Sequence, residues 1–180
     1  MEMNKTLWEA CAEFHGHECG GLTLGCKAAL YAVERLGLRQ DESGFVSAEE
    51  DILCVAENNV CSVDAIRVIL GCREERGNLL FHLTGQQAYT VFNRRTREAV
   101  RIVLTDRPEG LTREEAFAYY QSREPSQLFE ATPVEPALPL DPRRTYVCSR
   151  CGETAGGDWI RFVNGESLCL DCIAEQEEEN

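Results

Sequence analysis

The stretch FHGHECGGLTLGC, residues 14–26, sets His15, His17, Cys19 and Cys26 close together, and Gly20 and Gly21 follow Cys19 directly. Imidazole and thiolate suit zinc, nickel, copper or iron alike. The same two groups also make a thiol nucleophile with its base. In extended chain, residues two apart point the same way, so His17 and Cys19 could face one ion, and His15 shares the alternation.

A second group lies in NNVCSVDAIRVILGC, residues 58–72. Cys61 stands at the start of a predicted helix, where the dipole favours the thiolate that binds metal or attacks carbon. Asp64 is three positions on and shares its face. Cys72 lies past Gly71, about 16 Å from Cys61 along a straight helix, so it joins only if the chain folds back at Gly71. Cys11, Cys26 and Cys54 sit in apolar contexts and read as small buried hydrophobes. His82 reads as a hydrogen-bonded structural residue alternating within a strand.

The strongest signal is C-terminal. Cys148-x2-Cys151 and Cys169-x2-Cys172 are separated by 17 residues. Four thiolates in two paired knuckles supply the tetrahedral sulfur shell of structural Zn2+. Asn164-Gly165 between them predicts a tight hairpin turn, and the second knuckle leads into a helix. That order is similar to a treble-clef or zinc-ribbon module, too short to fold without metal.

These groups must be positioned by something larger. The chain has 180 residues, 43% hydrophobic, enough for a real core. Its net charge of -13 disfavours nucleic acid as a partner. The N-terminus lacks an apolar signal core, and no run approaches the roughly 20 apolar residues of a membrane span. The expectation is a reducing cytoplasm, where ten cysteines mean metal binding or thiol chemistry.

Apolar spacing predicts helices over 4–14, 22–37 and 62–70. Residues 51–57 read as a buried strand. NLLFHLT and AYTVFNRR read as strands joined across Gly85, with 98–105 continuing the meander. Thr112 and Glu115 make a capping-box pattern that opens a further helix. Five of the six prolines fall in 125–142. The expected organisation is therefore an α+β body over 1–124, a proline-rich linker over 125–144 and a four-cysteine zinc module over 145–180. The body's sheet should be mixed or antiparallel with helices packed on it.

FHGHECGG resembles the opening motif of the FmdE family, named for a component of formylmethanofuran dehydrogenase: Phe-His-Gly-His-x-Cys-Pro-Gly. ENNVCSVDAIRVILGCREERGNL and AYTVFNRRTREAVRIVL resemble its later blocks, and the resemblance covers about residues 8–105. It implies a body related to the sheet domain of glyceraldehyde-3-phosphate dehydrogenase-like folds, homodimers, and a metal pocket holding His17, Cys19 and Cys61. His15, Asp64 and Cys72 would stand around that pocket as candidates for catalytic work. The expected cofactors are structural Zn2+ and a second transition metal ion, Zn2+, Ni2+ or Fe2+, with one coordination position left to water or ligand. His15 or Asp64 would move protons. The implied role is accessory or enzymatic, in one-carbon or molybdopterin-type redox metabolism. The alternatives are a metal carrier or sensor that docks on a protein partner through the zinc module, and a thiol enzyme using Cys19 or Cys61. Gly20 stands where the family carries proline, and Thr84 and Gln86 where it carries Asp and Lys, which puts retained activity in question.

Overall fold

The computed structural model describes residues 5–134, 138–139, 144–163 and 166–178. The chain divides into two compact units, Met1–Val134 and Glu135–Asn180.

The first unit begins with helices α1 (Lys5–His15) and α2 (Gly20–Leu36). Then come strand β1 (Ile52–Ala56), helix α3 (Ser62–Ile69) and strands β2 (Leu79–Phe81), β3 (Ala88–Asn93) and β4 (Glu98–Leu104). Helices α4 (Arg113–Ser122) and α5 (Pro125–Leu128) and strand β5 (Phe129–Pro133) close it. The long helix α2 is rich in Ala and Leu and buries most of its length. It stops at Gly37, whose left-handed backbone (φ 57) returns its N–H to the Glu34 and Val33 carbonyls.

Two glycines set how α2 meets α3. A Cβ on Gly25 would overlap the Ser62 carbonyl, and one on Gly21 would lie 3.0 Å from the Cys61 Cβ. Gly21 and Gly25 are four apart and share one helix face. The two helices can therefore cross almost backbone to backbone, and this crossing brings Cys61 to the start of α2.

The five strands order as β2-β1-β3-β4-β5, with β1 and β2 parallel and the other pairs antiparallel. Cys54, Val91 and Val100 lie in register across three strands and belong to the main core, as do Ala56, Tyr89 and Ile102. That period-two row is what a sheet covered by helices requires.

Two expectations change. β2 does not form a hairpin with β3. It lies on the far side of β1, because the 82–87 segment is drawn to the end of β1: His82 N–H bonds the Ala56 carbonyl, and Thr84 and Gly85 N–H both bond the Glu57 carbonyl. His82 is thus exposed beyond β2. The body also runs past 124. Pro125 opens α5 at a position where proline is favoured, and Pro133 lies on the edge strand β5, where no ladder N–H is missed.

The second unit contains β6 (Leu138–Pro139), β7 (Thr145–Val147), β8 (Thr154–Gly156), β9 (Ile160–Val163), β10 (Glu166–Cys169) and helix α6 (Leu170–Glu178). β7 pairs with β8, and β10, β9 and β6 form a second small sheet. The Asn164-Gly165 turn lies outside the described residues, and the strands on either side pair antiparallel with Val163 opposite Glu166. Among the described residues, the buried apolar cluster here is Cys148, Ile160, Leu168 and Cys172. No helix among the described residues is long and apolar enough to cross a membrane.

Candidate metal centre and its cleft

His15 is the last residue of α1, and the chain turns at Gly16 (φ 87) before α2 opens. Cys19 caps α2 with extended backbone, and its Sγ accepts the Leu22 N–H at 3.3 Å. Cys61 precedes α3, and its side chain makes no capping bond, so its sulfur stays available to the site.

One ligand atom from each of His15, His17, Cys19 and Cys61 lies within 4.8 Å of the others. His15 Nε2 is 3.7 Å from Cys19 Sγ. Donors on a tetrahedral ion of this kind are separated by roughly 3.3–3.8 Å, given bond lengths of about 2.0–2.3 Å. A two-nitrogen, two-sulfur set at this spacing fits a transition metal ion.

Behind it, His15 Nδ1 meets Asp64 Oδ2 at 2.7 Å, and the Arg67 guanidinium donates to Asp64 Oδ1 at 2.5 Å. Arg67 also pairs with Glu74. A carboxylate on Nδ1 fixes the tautomer that leaves Nε2 free as a ligand. His15, expected beside the pocket, therefore falls within the ligand group, and Asp64 orients it. Cys72 does not join them. Its chain does turn at Gly71 (φ 66), but its thiol is fully buried against the Ile52 and Leu70 carbonyls, and burial pushes it up to about 12. The sequence places Cys61 at a helix start, which would lower its thiol. Burial and the adjacent Cys19 instead push it up, which disfavours a metal-free thiolate nucleophile there.

Cys11 and Cys26 are core residues, and the hydrogen bond from Cys11 together with burial pushes the Cys26 thiol up. Cys54 is likewise raised by burial.

His17, Cys19 and Cys61 line a cleft of about 650 Å3. Arg113, Glu114, Phe117 and Tyr120 line it from α4, and Glu18 joins them. Trp8 stands behind, 6.0 Å from the Phe117 ring, with its Nε1 donating to Glu18 at 2.9 Å. The C-terminal end of α4 is tied to α2 by the buried Lys27, whose Nζ donates to the Arg123 carbonyl at 2.6 Å. Gln121 reaches Thr23 Oγ1 at 3.3 Å, and that hydroxyl in turn donates to the Cys19 carbonyl at 3.2 Å. Gly20 packs here too: a Cβ would lie 3.3 Å from the Tyr120 ring.

Sequence reasoning missed the α4 residues. The capping box is present and located the helix, but it carries no information about where that helix packs. Thr84 and Gln86 are not among the cleft residues. They bond the ion pair of Glu57 with Arg101, which holds the Glu57 carboxyl below its ordinary value.

In the second unit, Cys148, Cys151, Cys169 and Cys172 also lie within 4.8 Å of one another through their sulfurs. Cys151 and Cys169 Sγ are 3.9 Å apart. Backbone N–H groups of Cys151 and Cys169 hold the Cys148 thiol down to about 6.

Fold and sites together define an α+β protein with two groups of candidate metal-ligand side chains, one of them opening on a cleft. Residues 14–133 match the FmdE family, described as "Molybdenum formylmethanofuran dehydrogenase operon", and the chain belongs to that family. An Archaeoglobus fulgidus protein described as a "Probable S-adenosyl-L-methionine-binding protein" is 27% identical over 193 aligned positions, covering 89% of this chain. The chain spans about half the length of that relative, 50%. The crystal structure of a tungsten formylmethanofuran dehydrogenase FmdE-like protein from Syntrophus aciditrophicus is similar in fold. Its TM-score is 0.56 at 20% identity, over 93% of this chain and 90% of that one.

Proposed function

We propose that this protein holds a transition metal ion, Zn2+, Ni2+ or Fe2+, on His15, His17, Cys19 and Cys61 and presents it to a small molecule in the adjoining cleft. Its role is accessory or enzymatic, in one-carbon or molybdopterin-type redox metabolism. The observation that carries this reading is the convergence of four ligand atoms within 4.8 Å beside a cleft of about 650 Å3. When bound, the ion would supply a Lewis-acid or redox centre there; the four side chains take the position expected to stay open, so a small-molecule donor would enter as a fifth ligand. Asp64 and Arg67 orient His15, the Leu22 N–H supports the Cys19 thiolate, and Lys27 keeps α4 in place as a cleft wall. The four-cysteine group takes a structural Zn2+, in a reducing cytoplasm that keeps its thiols free. The protein is proposed to work as a homodimer, with the second unit available to a protein partner.

Metal analysis tests this. The full chain should carry one ion per ligand group, and Cys19→Ser and Cys148→Ser should each lose one. Unchanged metal content in Cys19→Ser would sink the body site.

A second reading takes its ligand from the name of the Archaeoglobus relative. The aromatic wall of Phe117 and Tyr120 suits a purine ring, so S-adenosyl-L-methionine is the first ligand to titrate. Absence of binding to the metal-loaded chain would remove it.

A further inference from the structure

Two exposed charged side chains with no protein partner among the described residues line the cleft. Arg113 and Glu114, neighbours in the first turn of α4, both line it. Neither makes a hydrogen bond or ion pair with the described residues, including each other. The other charged groups nearby are engaged: Glu18 accepts the Trp8 N–H, and Glu115 closes the capping box with Thr112. Arg113 is also badly placed for folding, since a cation at a helix N-terminus opposes the dipole. It is the only arginine or lysine among the described residues lining the cleft.

The charge count selects among ligands. A divalent ion with two thiolates and two neutral imidazoles has no net charge. Glu18 and Glu114 add two negative charges and Arg113 one positive, so the loaded cleft is singly negative. A simple anion would be opposed by that field. A zwitterion would not be, provided its carboxylate meets the guanidinium and its ammonium meets Glu114. Guanidinium binds carboxylate through paired N–H bonds. Phe117 and Tyr120 form an apolar wall suited to an alkyl chain or sulfur. A centre built on thiolate and imidazole favours a soft sulfur group on the ligand.

Resting on the metal reading above, we propose that the cleft binds a sulfur-containing α-amino acid group, with its carboxylate on Arg113, its ammonium on Glu114 and its sulfur directed to the metal centre. Arg113 and Glu114 are then specificity residues of this site.

The test titrates the full, metal-loaded chain with L-homocysteine and with 4-mercaptobutyrate, which lacks only the amino group, followed by calorimetry. Metal content is measured on each sample first. L-homocysteine should bind, and 4-mercaptobutyrate should bind at least about three-fold more weakly, in line with one partly exposed ion pair. Arg113→Gln should weaken L-homocysteine about ten-fold or more, the loss of a charge-assisted pair. Glu114→Gln should bring the two thiols to equal affinity. Equal binding of both thiols to the wild type, no binding of either, or an unaffected Arg113→Gln would overturn the proposal while the retained metal leaves the centre standing. A wild-type body that holds no metal would overturn the centre and this proposal together.

Discussion

Asp64 is the residue on which the proposed metal centre turns, because its bond to Nδ1 leaves Nε2 of His15 facing the sulfurs. It accepts on both oxygens, from His15 and from Arg67. Asp64→Asn keeps the shape but offers an amide to Nδ1, so the preferred tautomer is lost. Outer-shell changes of this kind typically cost about 10–100-fold in metal affinity. Competition with a chromophoric chelator should show that loss, with full occupancy recovered at high metal. Unchanged affinity would mean that His15 is no ligand. His17, Cys19 and Cys61 were legible as ligand candidates because residue type and local spacing suffice to find them. The position of His15 was not, since Asp64 and Arg67 reach it only through the α1–α3 contact. Arg113 was less legible still. One arginine in a helix first turn is ordinary until the opposite wall is known.

At the scale of elements, the site depends on how closely α3 approaches α2. Gly25 has no room for a methyl group: a Cβ there would overlap backbone of Ser62, which cannot swing aside as a side chain could. Gly25→Ala should push α3 away and carry Cys61 with it. The expected cost is about 1–3 kcal/mol of stability from overpacking, read in urea unfolding. Weakened metal binding should accompany it, which a purely global loss would not produce in the folded protein. Gly37→Ala makes a useful comparison, since it strains only a left-handed cap (φ 57) with nothing within 4 Å. It should lower stability and leave metal affinity alone. The helices were legible from their apolar spacing. The partner of β2 was not, because a three-residue apolar run fits either side of β1 equally well. What decides is the backbone bonding of 82–85 to the end of β1, which no side-chain pattern encodes.

At the scale of the molecule, two kinds of stability meet in one chain. The first unit has a large apolar core and is further pinned by Glu50, whose carboxylate is enclosed by Arg39, Arg95 and Asn93. The bonds from Arg39 and then Arg95 hold its carboxyl down to about 2. A depressed folded value means that the stabilisation is complete above the unfolded value, near 4.3, and drains away as pH falls toward 2. Glu50→Gln should therefore destabilise the protein by about 1–3 kcal/mol at neutral pH. The gap to wild type should close as the pH drops through that window, as urea midpoints of the metal-free protein would show. A constant gap would mean that shape, not charge, sets the cost. The second unit has a much smaller buried apolar cluster among its described residues. Among the described residues, two of the four in that cluster, Cys148 and Cys172, are themselves candidate ligands. Without the proposed ion the sulfurs would lose what gathers them, leaving, among the described residues, Ile160 and Leu168 with the partly buried Tyr146, Ala155 and Ile173. So small an apolar cluster does not offset the chain entropy. Chelation should thus abolish amide protection across 144–178 while β1, β3 and β4 stay protected, as hydrogen exchange followed by peptide would show. Persistent protection of the second unit in metal-free protein would mean that its strands, rather than its sulfurs, organise it, and the four-cysteine group would lose its standing as a structural site.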